Sequence, residues 1–180
     1  VVNALSSSFE ATVKRDGKVF EAKYNKGGNI VEKAHEVGKT NRSGVCVHFK
    51  PDATIFSTTE FNPSTVKDRI RESSYLYQGL TIEFNDEKNK ESETFKSDHG
   101  LAEYVEYINE GKTPLFKAVS FKGKSNDGIE IDVAIQYTTA TRETIISFAN
   151  SVKTIDGGSH ETGFKAALTE VINNYARKNK

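Results

Sequence analysis

The sequence predicts an α+β fold in which mixed or antiparallel sheets are covered by helices on one face. Short segments alternate apolar and polar residues at the two-residue period of strands, and three segments repeat apolar residues at helical spacing. No internal repeat or low-complexity tract interrupts them. A chain of 180 residues can form one ordinary domain or two small ones.

The first predicted element is a β-hairpin. Residues 9–14 and 19–24 both alternate apolar with polar positions, and the pair Asp16-Gly17 lies between them. Asp-Gly is a typical sequence for a tight hairpin turn because both positions adopt left-handed backbone angles readily.

The next 25 residues give weaker signals. Residues 25–43 are rich in Gly, Asn, Lys and Glu, so we expect mostly loop, with one short strand near Ile30 and Val31. The apolar run 45–49 predicts a buried strand that ends before Pro51. Within that strand Cys46 is predicted to be a small core residue.

A helix is predicted after Asn62-Pro63-Ser64, since proline and capping residues favour a helix start. Gly79 is expected to end it and to mark the best domain boundary. Two strands are predicted to follow, one at residues 80–84 and one through Thr94 and Phe95.

The last 80 residues predict two helices with strands between them. Residues 101–108 form an amphipathic pattern closed by Gly111, and strands are expected at 129–137 and 144–149. Apolar residues from Phe164 to Tyr175 follow helical spacing, which predicts a core helix. Burying four such side chains contributes roughly 6 to 12 kcal/mol before entropy is subtracted.

Composition limits the function classes. The 25 basic and 25 acidic residues cancel, so the net charge alone does not indicate a polyanionic partner. No apolar run approaches the roughly 20 residues of a membrane helix, so no membrane partner is expected. The single cysteine, Cys46, excludes an intramolecular disulfide and fits a reducing, cytoplasmic location.

The stretch DGGSHETGF, residues 156–164, allows three interpretations: a catalytic triad, a phosphate-binding loop or a turn. Asp156, Ser159 and His160 could form a catalytic triad, and Gly157-Gly158 could hold a phosphate. Triad members this close in one turn rarely converge, and the lysine of a phosphate loop is missing. We therefore favour a turn in which the glycines adopt positive φ and Ser159 or His160 caps the next helix.

Two charged clusters can also be interpreted either as functional sites or as ordinary surface residues. Glu103, Glu106 and Glu110 lie at helical spacing and are expected to be a solvated face rather than a metal or acid–base site, so no metal ligand is predicted. Basic residues near the C-terminus could contact a phosphate backbone, as in a non-enzymatic DNA-binding or scaffold module. These residues are Lys165, Arg177, Lys178 and Lys180.

Five ordered blocks carry a family resemblance that spans the whole chain. They are Val1–Ser6, Gly44–Pro51, Arg69–Glu72, Tyr104–Asn109 and Asp156–Phe164. In order and spacing they resemble the B subunits of bacterial type IIA DNA topoisomerases, which are DNA gyrase and topoisomerase IV. The end of the strand at Tyr137 and the segment Asn174–Lys178 are more similar to topoisomerase IV.

The resemblance implies an organisation and a set of partners. Residues 1–79 are expected to be the C-terminal part of a GHKL-type ATPase domain, an α/β sandwich. Residues 80–180 are expected to be a truncated transducer domain with a mixed sheet and a left-handed βαβ crossover. Such proteins act on DNA with an A-type subunit, and ATP binding closes a homodimer of the B-type chains.

The resemblance also implies an ATP-hydrolysing isomerase whose catalytic residues lie outside this fragment. ATP and Mg are the family's cofactors, and here the site is expected to be incomplete. A strand matching Gly44–Phe49 lines the adenine pocket in the family, so the cofactor-binding residues here would be Val45 and Val47. The family carries Thr at the first position, and Val45 lacks its hydroxyl.

Overall fold

The computed structural model describes residues 1–179, which separate into two compact units. The first is Val1–Asn62 and the second begins at Pro63. The predicted boundary at Gly79 separates two domains of a family rather than two packing units, and it remains a prediction.

The first unit is a four-stranded antiparallel sheet in the order β3-β2-β1-β4. A 3₁₀ turn at Asn3–Leu5 precedes the sheet. The strands are β1 Ser6–Arg15, β2 Lys18–Asn25, β3 Asn29–Lys39 and β4 Gly44–Pro51. Ala22 on β2 is the buried apolar residue of this unit.

The predicted hairpin is confirmed. Arg15 of β1 pairs with Lys18 of β2. Between them Asp16 and Gly17 have φ values of 53° and 78°, which are the left-handed angles of a type I′ turn. Asp-Gly tolerates these angles, so the backbone preference of the turn residues agrees with the pairing of β1 and β2.

The loop predicted for residues 25–43 is wrong, because most of that range is the 11-residue strand β3. β3 is an edge strand, and its pairing with β2 shifts register at several points. Exposure on both faces and these shifts remove the two-residue alternation on which the prediction depends. Cross-strand ion pairs stabilise it instead, with Lys18 2.7 Å from Glu36 and Lys23 3.2 Å from Glu32.

The strand predicted at residues 45–49 forms as β4, but its predicted burial is wrong. β4 is the other edge strand, and its residues from Gly44 to Lys50 are exposed. Cys46 is exposed too, so it is not a core residue. Apolar composition predicted the strand correctly, whereas burial depends on a covering layer that residues 1–62 do not supply.

The described part of the second unit, residues 63–179, contains three helices and three antiparallel strand pairs, β5-β6, β7-β8 and β9-β10. The helices are α1 Pro63–Leu76, α2 Leu101–Ile108 and α3 Ser159–Lys178. The strands are β5 Thr81–Asp86, β6 Glu91–Lys96, β7 Val119–Lys124, β8 Glu130–Ile135, β9 Phe148–Ala149 and β10 Val152–Lys153. All three predicted helices are confirmed. The first ends at Leu76, and Gly79, which was expected to end it, lies three residues further on with a φ of 84°.

Two strand predictions in this unit need correction. β7 was not predicted, because glycine and lysine obscure its alternation and all six of its residues are exposed. The strand expected at residues 144–149 is reduced to β9, since its partner β10 is also only two residues long. Asn150 and Ser151 join the pair with left-handed φ values of 48° and 65°.

The α+β class is confirmed, and the sheets are of the antiparallel kind. Every strand pair among residues 1–179 is antiparallel, so the mixed sheet implied by the family resemblance is not found there. A βαβ crossover joins two parallel strands of one sheet. The left-handed crossover is therefore also absent from the described residues.

The core of the second unit lies beneath α1 and α2, where Phe95 and Tyr104 are buried. Helix α3 was predicted to be core, and this is wrong for the described residues. Val171, Ile172 and Tyr175 are 65%, 50% and 70% exposed.

Candidate functional site

Strand β4 presents an open apolar wall. Val45, Val47 and Phe49 alternate along one face, opposite Val13, Ala11 and Phe9 of β1. Val45 is 70% exposed and Val47 is 48% exposed. The ring of Phe49 meets the edge of Phe61 with centroids 6.0 Å apart, which extends the wall.

An apolar strand face of this kind can pack against one flat apolar group, but it cannot by itself hold a polar ligand. Neither valine offers a hydroxyl, so β4 supplies surface and no side-chain hydrogen bond at these positions. Among residues 1–179 no group of three or more His, Cys, Asp or Glu side chains is placed to hold a metal ion.

A second candidate centre lies in the second unit around the carboxylate of Glu72 on α1. Its Oε1 accepts hydrogen bonds from Tyr104 and Lys153, both at 3.1 Å. Its Oε2 accepts one from Arg69 at 2.9 Å. The side chain is only 18% exposed, so three donors offset the cost of burying the charge.

The centre shifts the pKa values of its members. Burial raises the pKa of Glu72, but hydrogen bonds from Lys153 and Tyr104 and the Lys153 charge outweigh it, so the net pKa is lowered. Burial and the neighbouring Glu72 carboxylate raise the pKa of Tyr104 far above its ordinary value. Glu72 is thus held as an anion, and Tyr104 is held as a neutral phenol that donates to it.

Arg71 lies beside this centre and has hydrogen-bond and aromatic partners of its own. Its guanidinium donates to Tyr107 at 3.1 Å and to Glu93 at 3.3 Å. It also lies over the ring of Phe95, 5.2 Å from the centroid. A cleft of about 250 Å³ is lined by Asp68, Arg71, Glu72, Tyr104 and Tyr107. Because these charges already have protein partners, the arrangement favours a packing role over acid–base catalysis.

The glycine pair forms a turn before α3, as we favoured from the sequence. Gly157 has a φ of 72°, which favours glycine, whereas Gly158 is extended. The predicted cap is wrong, because Gly158 is the N-cap and no side chain caps it. Ser159 is instead the first helical residue.

No triad assembles in this turn. His160 Nε2 lies 3.3 Å from Thr154 Oγ1, and Ser147 Oγ donates to Glu161 at 3.1 Å. Neither contact involves Asp156 or Ser159. An open cleft of about 400 Å³ lies beside the turn, lined in part by Ser147, Thr154 and Asp156.

The charged clusters differ in their surroundings. Glu106 and Glu110 are exposed, as predicted, and Glu103 is half-buried. Lys165 is paired with Glu161 at 3.1 Å and with Glu143 at 3.4 Å. Arg177 and Lys178 lie in the last turn of α3, and Lys180 lies outside the described residues.

Sequence comparison finds clear relatives. A family model described as DNA gyrase B matches residues 100–180. The B subunit of DNA topoisomerase 4 from Bacillus subtilis is 46% identical over 178 residues, which is 99% of this chain and 27% of that protein. The B subunit of DNA gyrase from Thermotoga maritima is 44% identical over 185 residues, covering 99% of this chain and 29% of that protein. The chain thus spans less than a third of these relatives.

Structural comparison agrees with the sequence. The 43K ATPase domain of Thermus thermophilus gyrase B, solved with an aminocoumarin, superposes with a TM-score of 0.88 at 34% identity. That superposition covers 98% of this chain and 49% of the other. The gyrase B subunit of Myxococcus xanthus gives a TM-score of 0.82 at 28% identity, covering 92% of this chain and 49% of the other. Within residues 1–179, no helix is both long and apolar enough to cross a membrane.

Proposed function

We propose that this chain, which belongs to the family of DNA gyrase and topoisomerase IV B subunits, is a segment of an ATP-dependent type II DNA topoisomerase. Its role is to couple ATP binding and hydrolysis to DNA strand passage. The match to relatives over 99% of the chain, with a TM-score of 0.88 to a gyrase B ATPase domain, is the observation that carries the proposal.

The proposal assigns two roles along the chain. Residues 1–79 end a GHKL-type ATPase domain, and residues 80–180 form most of a transducer domain. Support comes from the end of α1 at Leu76, three residues before the assigned boundary, although the two compact units separate earlier, between Asn62 and Pro63. Support also comes from the family model, which matches from residue 100 onward.

The proposal makes ATP and magnesium the cofactors of the complete protein. Val45 and Val47 would form the apolar wall against the adenine, since their face of β4 is open. Magnesium, when bound, neutralises charge on the transferred phosphoryl group. No catalytic residue is assigned to this chain, which is expected to be inactive by itself.

The proposed partners are DNA, an A-type topoisomerase subunit and a second copy of the complete B-type protein, which associates when ATP binds. The proposed location is the cytoplasm, where a lone exposed cysteine remains reduced. Between the two enzymes, topoisomerase IV is favoured by the segments at Tyr137 and Asn174–Lys178.

A strand-passage assay tests this function. The complete protein containing this chain, mixed with its A-type subunit, is expected to change the linking number of plasmid DNA only when ATP is present. ATP-independent activity, or none with a competent A-type subunit, would contradict the proposal. In the same assay Val45→Thr restores a hydroxyl worth about 1 to 3 kcal/mol if it meets a buried partner. We expect it to lower the KM for ATP, whereas Val45→Ile leaves the KM unchanged.

A second candidate function is direct duplex binding by α3, favoured by the exposure of that helix and by Arg177 and Lys178 in its last turn. It predicts salt-dependent binding of duplex DNA by the chain itself. Neutralising Lys165 and Arg177 together should abolish that binding. A flat titration at low salt removes this candidate, and it leaves the topoisomerase proposal intact.

A further inference from the structure

A continuous series of contacts connects helix α1 to the start of helix α3. The first link is the ion pair between Glu72 on α1 and Lys153 on β10, with Nζ 3.1 Å from Oε1. These residues are 81 positions apart in sequence. Lys153 is half-buried and Glu72 is more so, so the pair is screened less than a surface ion pair.

The next links lead from Lys153 to α3. Its neighbour Thr154 donates a hydrogen bond to the carbonyl of Ser147 at 3.0 Å. Ser147 in turn donates through Oγ to Glu161, which lies in the first turn of α3. A shift of Lys153 therefore moves a group that is bonded to the helix.

The hairpin that carries Lys153 is short and anchored twice. Asn150 and Ser151 form the two-residue turn at one end of the β9–β10 pair. At the other end the Thr154 N–H donates to the Ser147 carbonyl at 2.9 Å. Phe148 on β9 packs against Tyr104 with ring centroids 6.3 Å apart. Tyr104 also donates to Glu72, so both strands of the hairpin are tied to the same carboxylate.

Apolar packing does little to fix the later turns of α3, because Val171, Ile172 and Tyr175 are exposed, whereas Phe164 and Leu168 nearer its start are half-buried. Polar contacts at its first turn therefore have more influence on its position than they would in a helix with a buried face. We propose that Glu72 and Lys153 are positioning residues that fix the first turn of α3 relative to α1. A displacement of α1 is then transmitted to α3 through the β9–β10 hairpin.

This linkage goes beyond the proposed function and does not depend on it, because its test uses neither nucleotide nor DNA. The chain offers a matched control in Lys67, which also extends from α1 and forms an ion pair with Glu91 at 3.1 Å. Lys67 contacts β6 and not the hairpin. Removing its charge tests for general destabilisation of α1 without breaking the series to α3.

Hydrogen exchange of the full 180-residue chain, measured by mass spectrometry or NMR, tests the linkage. In Lys153→Met we expect amides of residues 162–165 to exchange about tenfold faster, because the first turn of α3 opens more often. Lys67→Met should leave these rates within about twofold of the parent, and Lys153→Arg, which keeps the charge, should restore most of the protection.

The shape-conserving variant Glu72→Gln tests the same link from its other side. It is expected to produce a similar increase in the exchange rates of residues 162–165. The double variant Glu72→Gln with Lys153→Met should exchange no faster than the faster single variant, because both remove the same link. Unchanged exchange at residues 162–165 in both single variants overturns the linkage. An effect of Lys67→Met equal to that of Lys153→Met, or additive effects in the double variant, overturns it as well.

Discussion

Helix α1 is held by contacts on several sides, whereas helix α3 leaves the apolar side chains of its second half exposed. Arg71 on α1 lies over Phe95 and pairs with Glu93, and Lys67 reaches Glu91. On α3 the ion pairs of Lys165 are found near the start, and Ile172 further along is 50% exposed. Both helices are long, so length alone does not explain the difference.

Amphipathic spacing predicts a helix but not its partner. Apolar residues on α3 recur at the spacing of a buried face, and the helix forms. A large exposed apolar patch is typical of an interface. α1 is less apolar overall than α3, yet a strand pair and α2 cover it. Burial is thus a property of what lies opposite a helix, which its own residues do not specify.

The largest expected effect is at the core beneath α1. Phe95 is 6% exposed and lies under the Arg71 guanidinium, so Phe95→Ala removes packing and leaves a cavity. We expect the second unit to lose about 3 to 5 kcal/mol of unfolding free energy. Urea unfolding followed by tyrosine fluorescence measures it. A loss below about 1 kcal/mol would mean that α1 is no better packed than α3.

A smaller effect is expected from the charge that ties α1 to α2 and β10. The pKa of Glu72 is lowered in the folded protein, so its contribution is present above the ordinary glutamate pKa. That contribution decreases as the pH falls through the lowered value. In Glu72→Gln the loss at neutral pH is about 1.5 to 3 kcal/mol, as for hydrogen bonds to a charged group.

Unfolding of both proteins at several pH values checks this prediction. The difference in stability between the parent and Glu72→Gln should shrink steadily below pH 4.5. Asp68, which is 69% exposed, provides the matched control on the same helix. Asp68→Asn should change stability by less than about 0.5 kcal/mol at neutral pH. A difference for Glu72→Gln that stays constant with pH would contradict the assignment.

The smallest effect is expected on α3. Ile172 is half in solvent, so Ile172→Ala should change the unfolding free energy of this chain by no more than about 0.5 kcal/mol. Alanine has the higher helix propensity, which offsets part of the lost contact. The same urea titration measures it. A loss above about 2 kcal/mol would show that α3 is buried in solution and would remove the contrast with α1.

Local signals in the sequence were sufficient for some elements and not for others. The Asp16-Gly17 turn and the start of α1 at Pro63 depend on backbone preferences of a few adjacent residues, and both were predicted. Strand β3 was missed because its stability comes from pairing with β2 and from charges such as Glu36. Edge strands of this kind carry no apolar alternation.

The candidate sites also differ in how far the sequence could predict them. Val45 and Val47 match a strand that lines the adenine pocket in the family, and their role in binding adenine remains a prediction. The Glu72 centre was missed because its partners Tyr104 and Lys153 are 32 and 81 residues away. Only Arg69, one helical turn earlier, was visible as a local pair. Contacts that depend on topology cannot be read from spacing along one helix.

The claim that this chain forms one wall of a nucleotide site, and not the whole site, is tested most directly by isothermal titration calorimetry. The chain is titrated with a nonhydrolysable ATP analogue in the presence of magnesium. We predict no binding tighter than about 1 mM, because an apolar wall alone does not recover the free energy that a millimolar complex requires. Saturable submillimolar binding that is lost in Val47→Asp would contradict the claim, because the described residues would then hold a complete site.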